Sequence, residues 1–166
     1  AFRNLGAFHF TQDYIRFEND TIGTEKKVDV TVQIQNRIIR NDDSIVRVPF
    51  QTYTIKDVNI FTDSTFENRS KTINDSVNFD NYNVYAYEKL NYKPGALTNA
   101  ILIAKGSLFK DLDRSRTYRY LNELRTFKYP NIEYKENDGD STLTANIYLT
   151  PLKRFFPPLL SIAIIC

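Results

Sequence analysis

Alternating apolar and polar residues are the commonest pattern along the chain, and they predict β-strands. Val28, Val30, Val32 and Ile34 alternate with polar residues, and residues 143–149 repeat this pattern. A period of two is typical of a strand with one buried face. Each of these strands follows a shorter apolar segment across a turn rich in Asn, Asp and Gly, so the sequence predicts two antiparallel hairpins.

Helical patterns are fewer and lie together in the second half of the chain. Between residues 111 and 127 apolar residues recur three or four apart without Gly or Pro, and Asp111 or Asp113 can cap the start. A shorter apolar segment, residues 96–104, ends at Gly106. The sequence therefore predicts a helix, a glycine turn and a second helix.

A further strand is predicted before the helices, at residues 53–60, where a slip in the alternation at residues 56 and 57 indicates a β-bulge. Together these elements predict an α+β unit of the order β-α-α-β-β, with a three-stranded sheet and both helices on one face. Its predicted core consists of Val58, Ile60, Leu121, Leu124, Ile132, Ile147 and Leu149.

The two hairpins and the segments before them resemble each other, which predicts an internal repeat. Leu5-Gly-Ala-Phe8 matches Leu124-Arg-Thr-Phe127, and the two strands that follow match in the same order. The predicted organisation has four consecutive parts. Residues 1–36 form the C-terminal half of one unit, and residues 37–49 form a polar linker. Residues 50–151 form a complete unit with an insertion at 62–83, and residues 152–166 are either the start of a barrel region or an aberrant apolar tail.

Composition excludes several classes of function. The 166 residues carry a net charge of +2, without the basic surface that nucleic-acid binding needs. A single cysteine and a single histidine exclude disulfide frameworks and zinc sites of several Cys or His, and His9, the one residue that could serve a Ser-His-Asp triad, is expected to be a structural residue at a strand start. The five glycines form no phosphate-binding loop, and the acidic clusters lack calcium-loop spacing. We therefore expect no catalytic residue, no metal and no cofactor.

One short pattern predicts covalent modification. Asp followed by Ser or Thr and then an apolar residue or Thr is a sequence that some Gram-negative periplasms O-glycosylate, although Asp-Ser is also common in turns. The candidate sites are Thr21, Ser44, Ser64, Ser76 and Ser141.

The closing motifs resemble a known domain. They are Gly106-Ser-Leu-Phe109, then Leu121-x-x-Leu124-x-x-Phe127, then Ile132-x-Tyr134, then the segment from Ile147 to Arg154. In order and spacing these motifs look like the last POTRA domain before the barrel in the BamA/TamA superfamily of outer-membrane assembly proteins, also called the bacterial surface antigen superfamily. The resemblance covers most of residues 1–154.

The resemblance implies a non-enzymatic scaffold on the periplasmic face of the outer membrane. Its partners would be unfolded outer-membrane protein clients, other envelope assembly subunits and, through a barrel not present in this chain, the outer membrane itself. It places the strand after the second helix at a sheet edge, where backbone groups would bind a client strand. The client-binding residues would be Ile132, Glu133, Tyr134, Lys135 and Glu136. We expect alanine substitutions there to matter little and Glu133→Pro to weaken binding.

Two alternatives remain open at this stage. The POTRA region of a two-partner secretion transporter has the same module but a single dedicated client. A small α+β enzyme or ligand-binding domain would need a cluster of polar residues that the sequence does not indicate.

Overall fold

The computed structural model describes residues 2–20, 28–41 and 44–152, without the side chains at 20, 29 and 41. The chain begins with two short 3-10 turns, Phe2–Leu5 and Gln12–Tyr14. A first hairpin follows, made of β1 (Ile15–Asp20) and β2 (Asp29–Ile34). A second hairpin consists of β3 (Arg37–Asn41) and β4 (Ser44–Val48).

The rest of the chain forms one mixed sheet with two helices. In chain order its elements are β5 (Thr54–Phe61), β6 (Asp75–Phe79), β7 (Tyr82–Ala86), α1 (Pro94–Thr98), α2 (Asp111–Glu123), β8 (Phe127–Glu136) and β9 (Thr142–Pro151). The strand order across the sheet is β6-β7-β5-β9-β8, in which β5 runs parallel to β7 and β9 and the two outer pairs are antiparallel.

The predicted α+β class and the order β-α-α-β-β are confirmed, with β5, β9 and β8 as the three expected strands. The sheet has five strands because the predicted insertion contributes the hairpin β6–β7 beside β5. Asp80 and Asn81, both with positive φ (50° and 65°), form its two-residue turn. Asn and Asp tolerate this left-handed conformation better than other non-glycine residues, which is why the chain can turn so tightly here. The expected bulge in β5 is also present, as a register shift between Ile55 and Asp57.

The core lies between one face of the sheet and the two helices. Fully buried side chains from β5, β9 and α2 meet there, including Val58, Ile147 and Leu121. Thr117 is also fully buried, and its hydroxyl accepts a hydrogen bond from the Leu102 N–H at 2.9 Å. This bond ties α2 to the extended segment that follows α1.

Leu124 is not a core residue, contrary to the prediction. It is 40% exposed, because α2 ends at Glu123 and the chain turns away through Arg125, which has a φ of +51°. Phe127 fills the core beyond this turn and packs against Tyr92 with ring centroids 4.9 Å apart.

Residues 37–49 contain regular structure, although their composition predicted a linker. Most of the segment forms the hairpin β3–β4. Its apolar side chains remain substantially exposed, Ile45 at 69%. Ile39 and Val48, on the other face, are only partly covered, and five-residue strands with so little burial show no clear hydrophobic alternation in the sequence. The predicted boundaries between units stay predictions.

Candidate functional site

β8 forms one edge of the sheet. Among the described strands it pairs only with β9. Its first part is irregular: Tyr129 has a φ of +48°, Pro130 follows, and the register with β9 shifts between Lys128 and Asn131. Because proline has no N–H to donate, pairing with a further strand is regular only along residues 131–136.

The direction of the backbone groups along this edge follows from one hydrogen bond. The Asn137 N–H donates to the Thr142 carbonyl at 3.1 Å, and this pair continues the β8–β9 register. Hydrogen-bonded and non-hydrogen-bonded pairs alternate in an antiparallel ladder, so Glu133 and Lys135 bond to β9. The N–H and C=O groups of Ile132, Tyr134 and Glu136 therefore point away from the sheet.

The opposite side of β9 agrees with this assignment. The Ser64 N–H donates to the Leu149 carbonyl at 2.9 Å, on the β5 side of β9. Odd-numbered residues of β9 thus face β5, which leaves its even-numbered residues, the partners of Glu133 and Lys135, to bond with β8. The five predicted client-binding residues lie on one strand, but only three of them present free backbone groups.

Because the Glu133 backbone bonds to β9, the substitution Glu133→Pro does not test client binding. Glu133→Pro would remove a donor used inside the sheet, because the Glu133 backbone pairs with Asn146. Such a change damages the fold instead of testing a client contact. Glu136 is the suitable position, since its backbone faces outward and its side chain is exposed.

The side chains of the edge strand separate by face. Ile132 and Tyr134 point to the helix side, where Ile132 is buried and Tyr134 packs on the core. Glu133 and Lys135 are exposed on the other face. Charges beside an edge discourage uncontrolled pairing with other edges, while the backbone stays accessible.

A cavity of about 340 Å³ lies between this edge and α2. Arg114, Ser115 and Tyr118 line it from the helix, and Pro130, Asn131 and Ile132 line it from the strand. The three helix residues were not predicted from the sequence. Arg114 and Tyr118 are four apart and thus on one helix face, but only the fold shows that this face borders the edge strand.

The far end of the edge is held by the N-terminal segment. Tyr53 donates its hydroxyl to Glu136 Oε2 at 3.1 Å, and His9 Nε2 lies 2.9 Å from Glu136 Oε1. Phe8 packs edge-on against Tyr134, with ring centroids 5.9 Å apart. Burial, followed by the nearby Glu136 carboxylate, raises the pKa of Tyr53. Burial is also the main cause that raises the pKa of Tyr134.

The same N-terminal segment caps α2. The Asn4 Oδ1 atom accepts the Leu112 N–H at 2.9 Å, and Arg3 forms a 3.0 Å ion pair with Asp111. The cap therefore comes from a residue distant in sequence, and not from Asp111 or Asp113 as predicted. Because the N-terminal segment contacts both α2 and β8, it fixes the surroundings of the edge strand.

The helix-free face of the sheet carries a row of asparagines from four adjacent strands. Asn78 donates to Asn83, Asn83 to Asn59 and Asn59 to Asn146, each through its side-chain amide at 2.9–3.0 Å. Beside this row Phe61 is stacked between Tyr85 and Tyr148, with centroid distances of 5.3 and 4.9 Å. These side-chain contacts join the strands from β6 to β9 on the face opposite the core.

The candidate glycosylation sites differ in accessibility. Ser64 is buried, and its hydroxyl accepts a hydrogen bond from Arg69 Nε at 3.0 Å. Ser44, Ser76 and Ser141 are exposed. Thr21 lies outside the described residues. Glycosylation stays a prediction for the three exposed serines.

Neither a metal-binding cluster nor a membrane-spanning helix occurs in the described part of the chain. Residues 2–20, 28–41 and 44–152 contain no group of three or more His, Cys, Asp or Glu side chains arranged to hold a metal. Neither α1 nor α2, the two α-helices in those ranges, has the length and apolar character of a membrane-spanning helix.

Comparison with known proteins gave matches among solved structures alone. No protein-family model matches the chain, and no curated protein does. POTRA domains 1–3 of the periplasmic domain of Omp85 from Anabaena match over 60% of this chain at 8% identity and a TM-score of 0.43. The chain spans 35% of that structure. POTRA domains 3–5 of BamA from Haemophilus influenzae match over 90% of this chain and 75% of theirs, at 10% identity and a TM-score of 0.35. Both structures are POTRA domains, the kind of domain that the sequence motifs predicted.

Proposed function

We propose that this chain is a periplasmic POTRA-type module of an outer-membrane β-barrel assembly or translocation protein, and that it binds extended client segments along β8. The order of the closing motifs and the β-α-α-β-β unit support the type of module. The outward-facing backbone of Ile132, Tyr134 and Glu136 is the observation that carries the binding mode. The module acts as a scaffold, and its contribution is a binding surface.

The edge is suited to clients of differing sequence. An added strand would form its main hydrogen bonds with backbone groups, which every polypeptide carries. Three residues with one N–H and one C=O each offer up to six such bonds. The adjacent cavity, lined by Tyr118 and Ile132, would accept an apolar side chain from the client. Backbone pairing thus supplies affinity that tolerates sequence change, and the cavity supplies a limited preference.

The contact network around Glu136 prepares the edge for binding. The Tyr53 hydroxyl donates to its carboxylate and His9 lies beside it, while the bulge at Tyr129 and Pro130 ends the regular edge on the other side. A strand that is already straight and fixed loses little conformational entropy when a client pairs with it.

A pair of substitutions at Glu136 tests the backbone contact. Glu136→Ala removes the side chain and its contacts but keeps the N–H, whereas Glu136→Pro removes the N–H as well. We expect Glu136→Ala to bind a labelled amphipathic barrel-strand peptide with only a small loss of affinity, because the Tyr53 contact with the carboxylate is gone but the backbone N–H remains. Glu136→Pro should bind about five- to twelvefold more weakly than Glu136→Ala, because a hydrogen bond contributes about 1–1.5 kcal/mol.

Fluorescence anisotropy with the labelled peptide measures this difference. Urea unfolding of both variants provides the control that each is folded. Equal affinities of the alanine and proline variants would show that the Glu136 N–H makes no client contact, and the proposed binding mode would then be wrong.

A further inference from the structure

The second edge of the sheet, β6, lacks the protection found on β8. Residues 76–79 are Ser-Val-Asn-Phe, with no charge, no proline and no register shift against β7. Proteins commonly protect exposed edges with charges, prolines or bulges, and β8 has all three. An edge without these features is one that a partner strand can pair with.

The free backbone groups of β6 belong to Ser76 and Asn78. The Tyr85 carbonyl accepts the Thr62 N–H at 2.9 Å, so Tyr85 faces the β5 side of β7. By alternation, Tyr82 and Val84 face β6 and bond with their partners Phe79 and Val77. Ser76 and Asn78 lie between these bonded residues, and their N–H and C=O groups point outward.

We propose that β6 pairs with β6 of a second copy of this chain, antiparallel and centred on Val77. In this register Ser76 of one copy lies opposite Asn78 of the other, and the same pair recurs across the two-fold axis. Each of these pairs joins two residues whose backbone groups are free, so the two pairs form four backbone hydrogen bonds. The two sheets join into one of ten strands.

Side chains on both faces fit the same register. On the helix-free face, Asn78 donates its amide to Asn83 and keeps its Oδ1 atom for a further donor. The Ser76 hydroxyl of the second copy is opposite and supplies that donor. On the helix side Val77, which is 37% exposed, meets Val77 of the second copy and loses contact with water.

Electrostatic repulsion does not oppose this pairing. Asp75 is the only charged residue of β6, and its carboxylate accepts the Leu90 N–H at 3.1 Å. In the proposed register Asp75 lies opposite Phe79 of the second copy, so the two aspartates do not face each other. The strand is complementary to itself in backbone, side chain and charge, and this selects a second copy over an unrelated partner.

Cysteine cross-linking tests the axis directly. Non-hydrogen-bonded pairs have Cα atoms about 4.5 Å apart, within the range that a disulfide can bridge. We expect Val77→Cys, in a Cys166→Ser background, to form a disulfide-linked dimer under mild oxidation. Leu102→Cys in the same background is the matched control, because Leu102 is also 37% exposed but belongs to the segment after α1, where its N–H bonds to Thr117 of α2.

A charge at the axis provides a second, independent measurement. Val77→Lys places two like charges opposite each other, whereas Val77→Thr keeps an uncharged β-branched residue. Sedimentation equilibrium should show a lower dimer fraction for Val77→Lys and no decrease for Val77→Thr, with circular dichroism confirming that both fold. The proposal is overturned if Val77→Cys cross-links no better than Leu102→Cys, or if Val77→Lys associates as the unchanged chain does.

Discussion

Leu121 and Leu124 lie three residues apart near the end of α2, yet their burial predicts very different contributions to the free energy of unfolding. Leu121 is 0% exposed between α2 and the sheet, whereas Leu124 is 40% exposed beyond the end of the helix. Leu121→Ala leaves a cavity in a closed core and should destabilise the unit by about 2–5 kcal/mol. Leu124→Ala removes a partly solvated side chain and should cost about 0.5–1 kcal/mol.

Urea unfolding followed by circular dichroism measures both free energies. The two variants make the same chemical change, so each serves as the control for the other. Equal slopes of free energy against urea are needed for the comparison, because a changed slope indicates a changed unfolded or native state. A cost for Leu124→Ala equal to that for Leu121→Ala would refute the placement of the helix end and of the core.

Three further predictions concern the contacts around the sheet. Asn59→Ala removes two side-chain hydrogen bonds from the middle of the asparagine row and should lower the free energy of unfolding in urea by about 1–3 kcal/mol. Asn78→Ala, at the exposed end of the row, should lower it by about 1 kcal/mol or less. Equal losses would contradict the row as a continuous network. Asn4→Ala should speed hydrogen exchange of the Leu112 amide, which Asn4 caps, and leave exchange of the Ile147 amide unchanged; an unchanged Leu112 rate would show that the cap contributes nothing. The pKa of Tyr134 is raised mainly by burial, so the phenol ionises in the unfolded chain before it does in the folded one, and stability should fall as pH rises above about 10. Tyr134→Phe should reduce this fall in urea melts at high pH, and an unaltered pH dependence would contradict a buried phenol.

Periodicity predicted the elements that have one buried face, and it also predicted the hairpin β1–β2, but there the expectation of a buried face is wrong, since Val30 and Val32 are 55% and 57% exposed. The strands β5, β8 and β9 and the helix α2 all repeat apolar residues at the spacing of their structure, and all were found. The hairpin β3–β4 and the edge strand β6 were missed, because each strand has only five residues, most of their side chains are exposed, and the segments around them are rich in polar residues. The shorter helix, predicted at residues 96–104, ends at Thr98. Ile101 and Ile103 beyond it are buried in an extended segment, where alternate residues face the core.

The candidate site shows a different limit of sequence reasoning. The motifs around Ile132 and Tyr134 indicated which strand forms the edge, but which of its amides point outward depends on the register with β9, and register is set by turn geometry. No pattern in the sequence predicts the asparagine row. Asn59, Asn83 and Asn146 become neighbours only because three strands pair in one particular register.

In the proposed binding mode a client strand pairs with the outward-facing backbone of β8. Residue-specific hydrogen exchange measures this pairing directly. With a saturating unlabelled barrel-strand peptide, the amides of Ile132, Tyr134 and Glu136 should exchange more slowly, because they become hydrogen bonded. The amides of Glu133 and Lys135 already bond to β9 and should change little. Slower exchange at every second residue of this strand is the predicted result. Unchanged exchange at Ile132, Tyr134 and Glu136 while the peptide is bound would contradict the account.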